Sequence, residues 1–364
     1  MQVSLAVPRT KRSRNGEKMI PISVCMIAKN EEKYIGECLR RLKAYGFELV
    51  VVDTGSEDRT KEIAMQYTDK VYDFAWCDDF SKAKNFAVSK ASNDWILNVD
   101  CDEHLSNEIN LEELESLMKE NPKACGNVEI VSPTSQSKDA SMLNARIARL
   151  FDRRYFHYES PIHEQLVDEN GIGAPEFKAP ISFLHYGYAL EGEKRKNKNL
   201  RNIRLLEKQL KHDKKNPYIY FQLGRSYRME KDWKSALECY EKAISLDFNP
   251  NATYGKMLIV DYAQTLIDLG DYEKALRIEM VKDLFSDFTD YVFMLGRVYY
   301  LNKQYVKALQ QFIKVMNMEE GMLAGNNTYL AYYMLAQIYH DIEQPEMEAV
   351  FREKYNESVP KVTS

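Results

Sequence analysis

No stretch of this 364-residue chain approaches the roughly 18 consecutive apolar residues that a membrane-crossing helix requires. Charge of one sign is lacking too: 50 lysines and arginines face 55 aspartates and glutamates, and a formal net charge of -5 argues against a general nucleic-acid binder. The six cysteines (25, 38, 77, 101, 125 and 239) include no Cys-x-x-Cys pair. They read as reduced thiols of a cytoplasmic protein rather than a disulfide framework. Glycine is absent where a phosphate-cradling loop would need it. After the first apolar run the chain reads Ala28-Lys29-Asn30-Glu31-Glu32, with no glycine until Gly36, which sets aside a sugar nucleotidyltransferase. Residues 1–20 carry Arg9, Lys11, Arg12, Arg14 and Lys18 but no apolar core of a secretion signal, and read as a disordered basic leader.

The length suffices for two domains, each with its own core. The most informative segment is Asp100-Cys101-Asp102-Glu103, which ends the apolar run Trp95-Ile96-Leu97-Asn98-Val99. A buried strand that delivers carboxylates at its carboxyl end points them into a crevice. Asp100 and Asp102 sit on alternate residues, so along a strand they leave on the same side. Such a pair suits Mg2+ or Mn2+, hard cations that bind oxygen and hold phosphates, with a strand-end turn or helix cap as its structural alternative. Upstream, two further apolar runs end in polar residues: Pro21–Ala28 before Asn30 and Glu31, and Phe47–Val52 before Asp53. Tyr34, Ile35, Cys38, Leu39 and Leu42 repeat at helical spacing between those runs, and Thr60, Ile63 and Ala64 continue as a helix after the second. A short strand at Val71–Phe74 and a helix through Ala83, Phe86, Ala87 and Val88 follow. This alternation predicts a largely parallel sheet covered on both faces, with ligands bound at the carboxyl ends of its strands.

The segments Ser23–Glu32, Val51–Thr60 and Trp95–Glu103, in that order and spacing, resemble the family 2 glycosyltransferases of GT-A fold. The resemblance implies an inverting enzyme that uses a nucleotide-diphosphate sugar, a UDP-sugar first, and a divalent metal. On it, Ala28, Asn30 and Glu31 belong to the nucleotide-sugar site, Asp53 contacts the base or ribose, and Asp100 and Asp102 frame the metal and diphosphate. The segment Ala75–Phe86 is similar to a stretch of the subgroup that carries helical repeats, where the position of Lys84 is usually arginine. Lysine keeps the charge needed near a diphosphate but loses the bidentate fork. The bland alternative for Lys84 is a solvated charge on a helix surface.

Ala148-Arg149-Leu150-Phe151, Ile162-His163-Glu164-Gln165 and Phe183–Tyr188 resemble later segments of the same subgroup, and they place Arg149 in the nucleotide-sugar site. Displacing a nucleoside diphosphate at an anomeric carbon with inversion requires a base on the opposite face. Glu164 is the candidate, with a salt bridge to Arg149 or Arg153 as its structural alternative. His163 orients Glu164 or contacts the acceptor. His185 completes the metal shell with Asp102, since imidazole is an acceptable Mn2+ ligand; its alternative is a hydrogen-bonded histidine at a strand end.

From Lys194 to Lys215 the chain is rich in lysine and arginine, with Leu200, Ile203, Leu206 and Leu210 at helical spacing, which predicts a basic, solvated connecting helix. Beyond it, Tyr220, Leu223, Gly224, Tyr227, Ala236, Tyr240 and Ala243 match the tetratricopeptide pattern, whose period is about 34 residues. The pattern returns at Leu295, Gly296, Tyr299, Ala308 and Phe312, more weakly at Tyr262, Ala263, Leu266 and Ala275, and finally at Leu335, Ala336 and Tyr339. The expected organisation is a leader (1–20), an α/β GT-A nucleotide-sugar-binding domain (21–190), a connecting helix (191–215), an all-α TPR-like repeat domain (216–357) and a tail (358–364).

Two readings from different classes follow. The first is a metal-dependent hexosyltransferase whose repeat groove holds a peptide or protein acceptor, with homodimerisation as another use of the repeats and a surface glycan as another acceptor. The second is a non-catalytic repeat scaffold built on a decayed nucleotide-sugar fold. The presence of Asp53, Asp100 and Asp102 together favours the first.

Overall fold

A computed structural model describes residues 21–133, 142–186 and 193–359. The basic leader, Gly187, Tyr188 and the last five residues lie outside the described residues. The chain divides into two compact units, one ending at residue 191 and the other beginning at residue 192.

The first unit begins with β1 (Ile22–Ala28), α1 (Ile35–Lys43), β2 (Glu48–Asp53), α2 (Thr60–Ala64), β3 (Val71–Asp73), α3 (Phe80–Lys90) and β4 (Trp95–Asn98). It continues through β5 (Glu103–Leu105), α4 (Leu111–Glu120), β6 (Cys125–Pro133), β7 (Met142–Asp152), β8 (His157–Glu159), β9 (Gln165–Val167) and β10 (Glu176–His185). Eight strands form one sheet in the order β3-β2-β1-β4-β7-β6-β10-β5, and β8 and β9 pair separately. The expected parallel arrangement holds from β3 to β4. Beyond β4 the sheet is mixed, because β7 runs antiparallel to both β4 and β6, and β5 antiparallel to β10.

Period-two alternation explains the layering. Val24 and Met26 of β1, with Leu49 and Val51 of β2, pack beneath Ile35, Leu39 and Leu42 of α1 and Leu114 and Met118 of α4. The intervening Cys25, Val50 and Val52 face the opposite layer with Ala87 of α3, Ala91 just after it and Phe151 of β7. All six cysteines are free, and burial pushes the Cys25 thiol up to about 12.

The second unit comprises α5 (Glu193–Leu210), α6 (Pro217–Met229), α7 (Trp233–Ser245), α8 (Thr253–Asp268), α9 (Tyr272–Ala275), α10 (Thr289–Leu301), α11 (Tyr305–Val315), α12 (Tyr329–Asp341) and α13 (Pro345–Ser358). The helix expected to be a solvated connector is instead packed: α5 buries Ile203, Leu205 and Leu206, and its Asn199 Nδ2 donates to Ser226 O of α6 at 2.8 Å. Leu200, expected on the apolar stripe, is 46% exposed.

One turn recurs four times. Lys231, Gly270, Lys303 and Glu343 each hold φ between 57° and 77°, directly after the first helix of a pair. The next residue's N–H reaches back to Tyr227, Leu266, Tyr299 or Tyr339 O at 2.8–3.0 Å. This left-handed cap satisfies a terminal carbonyl and folds the second helix onto the first. The weak middle copy keeps the turn but not the second helix, since α9 gives way to a 3-10 turn, Leu276–Val281.

Close approach within a pair depends on glycine. A Cβ at Gly224 would stand 2.5 Å from Tyr240 Cε1, and one at Gly296 would stand 2.9 Å from Phe312 Cζ. Tyr240 is fully buried, so its ring has nowhere to withdraw. Gly224→Val should therefore destabilise the repeat unit by at least ~1 kcal/mol, the low end of overpacking costs. Thermal unfolding followed by circular dichroism checks this, and an unchanged melting temperature would contradict the packing argument.

Candidate active site

Parallel pairing brings the carboxyl ends of β1, β2 and β4 to one edge of the sheet, with Ala28 beside Asp53 and Cys25 beside Asn98. The loops after β1 and β2 are stitched together there. Asn30, at φ +57°, donates its N–H to Ser56 Oγ (3.0 Å) and accepts from Glu57 N on Oδ1 (2.8 Å). Glu31 N donates to Thr60 Oγ1 at 2.7 Å. The carbonyl of Ala28 accepts from both Thr54 N (2.9 Å) and Thr54 Oγ1 (3.1 Å).

Asp53 closes the turn of its own loop. Its Oδ1 accepts from Gly55 N (2.8 Å) and Ser56 N (2.9 Å), a turn that Gly55 permits by adopting φ +101°. Its Oδ2 is buried and has no hydrogen-bond partner among the described residues. A buried carboxylate oxygen left in this state is costly and is an acceptor for a donor from outside the chain.

The acidic segment departs from the expected geometry. β4 ends at Asn98, and Asp100–Glu103 form a turn closed by Glu103 N donating to Asp100 O at 3.0 Å. Strand alternation therefore does not set the directions of Asp100 and Asp102; the turn separates them. Asp100 goes to Arg149, whose Nη2 donates to Asp100 Oδ2 (2.8 Å) and Glu103 Oε1 (2.9 Å) and whose Nη1 donates to Asn98 Oδ1 (2.9 Å). Arg149 is itself buried, so its guanidinium supports the carboxylates rather than projecting past them. Exclusion of water works against the charge of Asp100, but Arg149, and after it Lys84, hold its carboxyl well below the usual range. Glu103 is 2% exposed, and burial pushes it up to about 6 despite Arg149.

Asp102 faces His185 at the end of β10, with Oδ2 3.3 Å from Nε2. The pairing of His185 with Glu103 across β10 and β5 fixes that position, and Tyr186 N donates to Asp102 O at 2.9 Å. Ser132 Oγ lies 3.4 Å from the other ring nitrogen, Nδ1. Burial disfavours the imidazolium, yet the bond to Asp102 outweighs it and the pKa of His185 is raised. Among the described residues no group of three or more His, Cys, Asp or Glu side chains gathers as a complete cation shell.

The remaining candidates meet where α3 packs against the 158–164 segment. Asp79 caps that helix by accepting from Lys82 N at 3.0 Å, and Phe80 N donates to Pro161 O at 2.8 Å. Asn85 exchanges two hydrogen bonds with the backbone of Tyr158, at 2.8 and 3.0 Å. Docked in this way, Lys84 forms an ion pair with Glu164 and lies 5.1 Å from the centroid of the Tyr158 ring. Lys84 is thus buried and paired rather than a solvated surface charge, and the partner of Glu164 is neither Arg149 nor Arg153. His163 precedes Glu164 at φ +52°, and Ser160 stands at φ +77°. Non-glycine residues in that region mark a loop held by its surroundings.

The candidates therefore form four groups: Ala28, Asn30, Glu31 and Asp53; Asp100 with Arg149; Asp102 with His185; and Lys84 with Glu164, which His163 precedes in the chain. Two contributors were not singled out as site residues, Asn98 and Tyr158, and Glu103 was read only as part of the acidic segment and as a substitute base. Asn98 carried a legible signal, because a polar side chain inside an apolar run must have a buried partner.

Residues 23–167 match the family model for Glycosyl transferase family 2, and residues 217–250 match a Tetratricopeptide repeat. The chain is 32% identical over 231 residues to a TPR repeat-containing protein of Synechococcus elongatus, covering 61% of this chain and 56% of that protein. It is 27% identical over 232 residues to the SPbeta prophage-derived glycosyltransferase SunS of Bacillus subtilis, covering 62% and 54% respectively. Over 244 residues it is 25% identical to the lipopolysaccharide core biosynthesis glycosyltransferase LpsC of Rhizobium meliloti, covering 62% and 87%. The chain spans about half the length of the first two relatives. It carries a family 2 glycosyltransferase domain, a mixed-sheet unit of GT-A type, followed by a helical region of tetratricopeptide repeats.

Proposed function

We propose that this chain is an inverting glycosyltransferase that moves a sugar, a hexose first, from a nucleoside diphosphate donor to a peptide or protein acceptor. The observation that carries the donor half is Asp53, whose buried Oδ2 offers an acceptor for an N–H of the base or a hydroxyl of the ribose. UDP is the first donor nucleotide to try. The diphosphate belongs beside Asp100 and Lys84, at the carboxyl ends of the strands.

Asp102 and His185 supply one carboxylate oxygen and one imidazole nitrogen close together, a donor set that fits Mg2+ or Mn2+ shared with phosphate oxygens. When bound, such a cation stabilises charge on the departing diphosphate. The chain's own contribution to bond making is Glu164. The acceptor's oxygen or sulfur attacks the anomeric carbon, the bond from that carbon to the diphosphate oxygen breaks with its electron pair, and the acceptor's proton passes to Glu164. Attack opposite the leaving group inverts the anomeric centre.

The repeats support the acceptor half, since stacked helical pairs offer a concave surface for an extended peptide. Subunit association is the other use of that surface. The likeness to LpsC, a lipopolysaccharide core biosynthesis glycosyltransferase, supports a glycan acceptor as the second reading. Among the described residues no helix is long and apolar enough to cross a membrane, and residence in the cytoplasm is part of the proposal.

The test is a screen of nucleotide sugars for slow sugar release to water, followed by transfer assays on peptide and glycan acceptors. Glu164→Gln preserves shape and removes basicity, so transfer to a hydroxyl acceptor should fall by about 100-fold or more, within the usual range for losing a general base. Normal transfer by that variant would move the proton-accepting role elsewhere. Turnover of no nucleotide sugar would favour the scaffold reading.

A further inference from the structure

Lys84 and Glu164 are an unusual pair to find at a candidate reaction centre, because each neutralises the other. Their side chains are 6% and 16% exposed, and each is the other's partner for an ion pair among the described residues. Water therefore screens their attraction poorly. A carboxylate oxygen engaged by an ammonium is occupied and does not meet the hydrogen of an incoming acceptor until that contact opens. The arrangement present without donor would thus restrain the group that Proposed function assigns as base.

Lys84 is also within electrostatic reach of the strand edge. Its ammonium lies 5.1 Å from the centroid of the Tyr158 ring, Tyr158 packs edge-on against Phe151 at 5.4 Å, and Phe151 stands two residues after Arg149 on β7. The charge of Lys84 is felt at Asp100. A lysine ammonium is a compact charge on a flexible stem with three rotatable donors, and it exchanges partners more readily than the fixed fork of arginine.

We propose that Lys84 is handed from Glu164 to the donor's diphosphate when the donor binds, so that Glu164 becomes free to accept the acceptor's proton only once the donor is in place. This inference rests on the donor site proposed above. A diphosphate carries more negative charge than one carboxylate and attracts the ammonium more strongly. Restraint of the base until the diphosphate arrives would tie acceptor activation to donor occupancy. The other role for the pair is a fixed bracket that pins the 160–164 loop to α3. The two differ in sign: a bracket needs both members, whereas in a handover Glu164 competes with the diphosphate.

The experiment is calorimetric binding of UDP in the presence of Mn2+ to the full chain, with uridine as the probe lacking a diphosphate. GDP, dTDP or ADP, with the matching nucleoside, replaces UDP where it binds tighter. Glu164→Gln should tighten UDP by about 5-fold or more, because Lys84 loses its competing partner, while Lys84→Met should weaken it by about 10-fold or more, as expected for one charge-assisted contact. The double variant should bind like Lys84→Met, since Glu164 has no effect once Lys84 is gone. Lys84→Arg should restore UDP binding to within about 3-fold of the unaltered chain. Uridine affinity should not respond to any of these changes. If Lys84→Met does not fold, the sign of the Glu164→Gln effect decides alone. Unchanged or weaker UDP binding by Glu164→Gln overturns the handover and leaves the glycosyltransferase reading standing. Failure of the unaltered chain to bind any of these nucleotides removes both.

Discussion

Asp102→Asn should lower sugar transfer and donor hydrolysis by at least ~100-fold, the lower range for losing stabilisation of charge on a leaving group. The substitution retains the shape of the side chain and an oxygen facing His185, and the backbone oxygen that accepts from Tyr186 N is untouched. Stability should therefore change by no more than about 0.5–1 kcal/mol, as for a partly exposed substitution that opens no cavity. The diagnostic readout is binding rather than rate. Mn2+ affinity in the presence of UDP, followed by electron paramagnetic resonance, should fall by about 10-fold or more if Asp102 and His185 hold the cation as proposed, because one of the two becomes a poorer donor. Chelation should abolish turnover in the unaltered chain, and added Mn2+ or Mg2+ should restore it. Full activity in chelator, with metal removal verified, would sink the metal assignment. Retention of Mn2+ affinity by Asp102→Asn would instead transfer the ligand role to Asp100.

That last distinction shows where sequence reasoning stopped. The approach of Asp53 and the acidic segment to one edge was legible, because β1, β2 and β4 are short apolar runs whose parallel pairing follows from the helices between them. The split of Asp100 toward Arg149 and Asp102 toward His185 was not, since it depends on a turn at Asp100–Glu103 where strand alternation had been applied. Pairing over long sequence separation was equally hidden. Nothing local to Lys84 names Glu164, and nothing local to Arg149 names Asn98. Beyond β4 only the apolar strand ending at His185 was read in advance; earlier in β10, Pro180 interrupts the alternation of buried Ala179, Ile181 and Phe183 with half-buried residues. The repeats were easiest to read. Gly224 beneath Tyr240 and Gly296 beneath Phe312 are contacts that a single chain spacing prescribes. The fading of α9 into a 3-10 turn has no signal in that spacing, only in the weakness of the copy itself.

Arg149→Met should produce the largest loss of stability in the first unit. Arg149 is buried, and it holds three side chains by hydrogen bonds of 2.8–2.9 Å: Asn98, Asp100 and Glu103. Removing one member of a buried ion pair typically costs about 3–5 kcal/mol, because the partner charge remains buried without compensation. Here the stranded group is Glu103, 2% exposed and already pushed up to about 6, whereas Asp100 keeps partial access to water. For a domain of this size the loss corresponds to a drop of roughly 10 °C in the melting transition of that unit. The cause can be separated from lost packing by a second change. Glu103→Gln removes the stranded charge while its amide oxygen can still accept from Asp100 N, which Glu103 Oε2 now does at 3.0 Å. Arg149→Met combined with Glu103→Gln should therefore recover at least half of the lost stability, as a double-mutant cycle in urea would show. Recovery of stability without recovery of nucleotide binding would mean that Arg149 serves the site chiefly by holding Asp100 charged and in place. If the second substitution instead deepened the loss, the guanidinium would be a packing element whose hydrophobic stem, not its charge, supports β7 against β4.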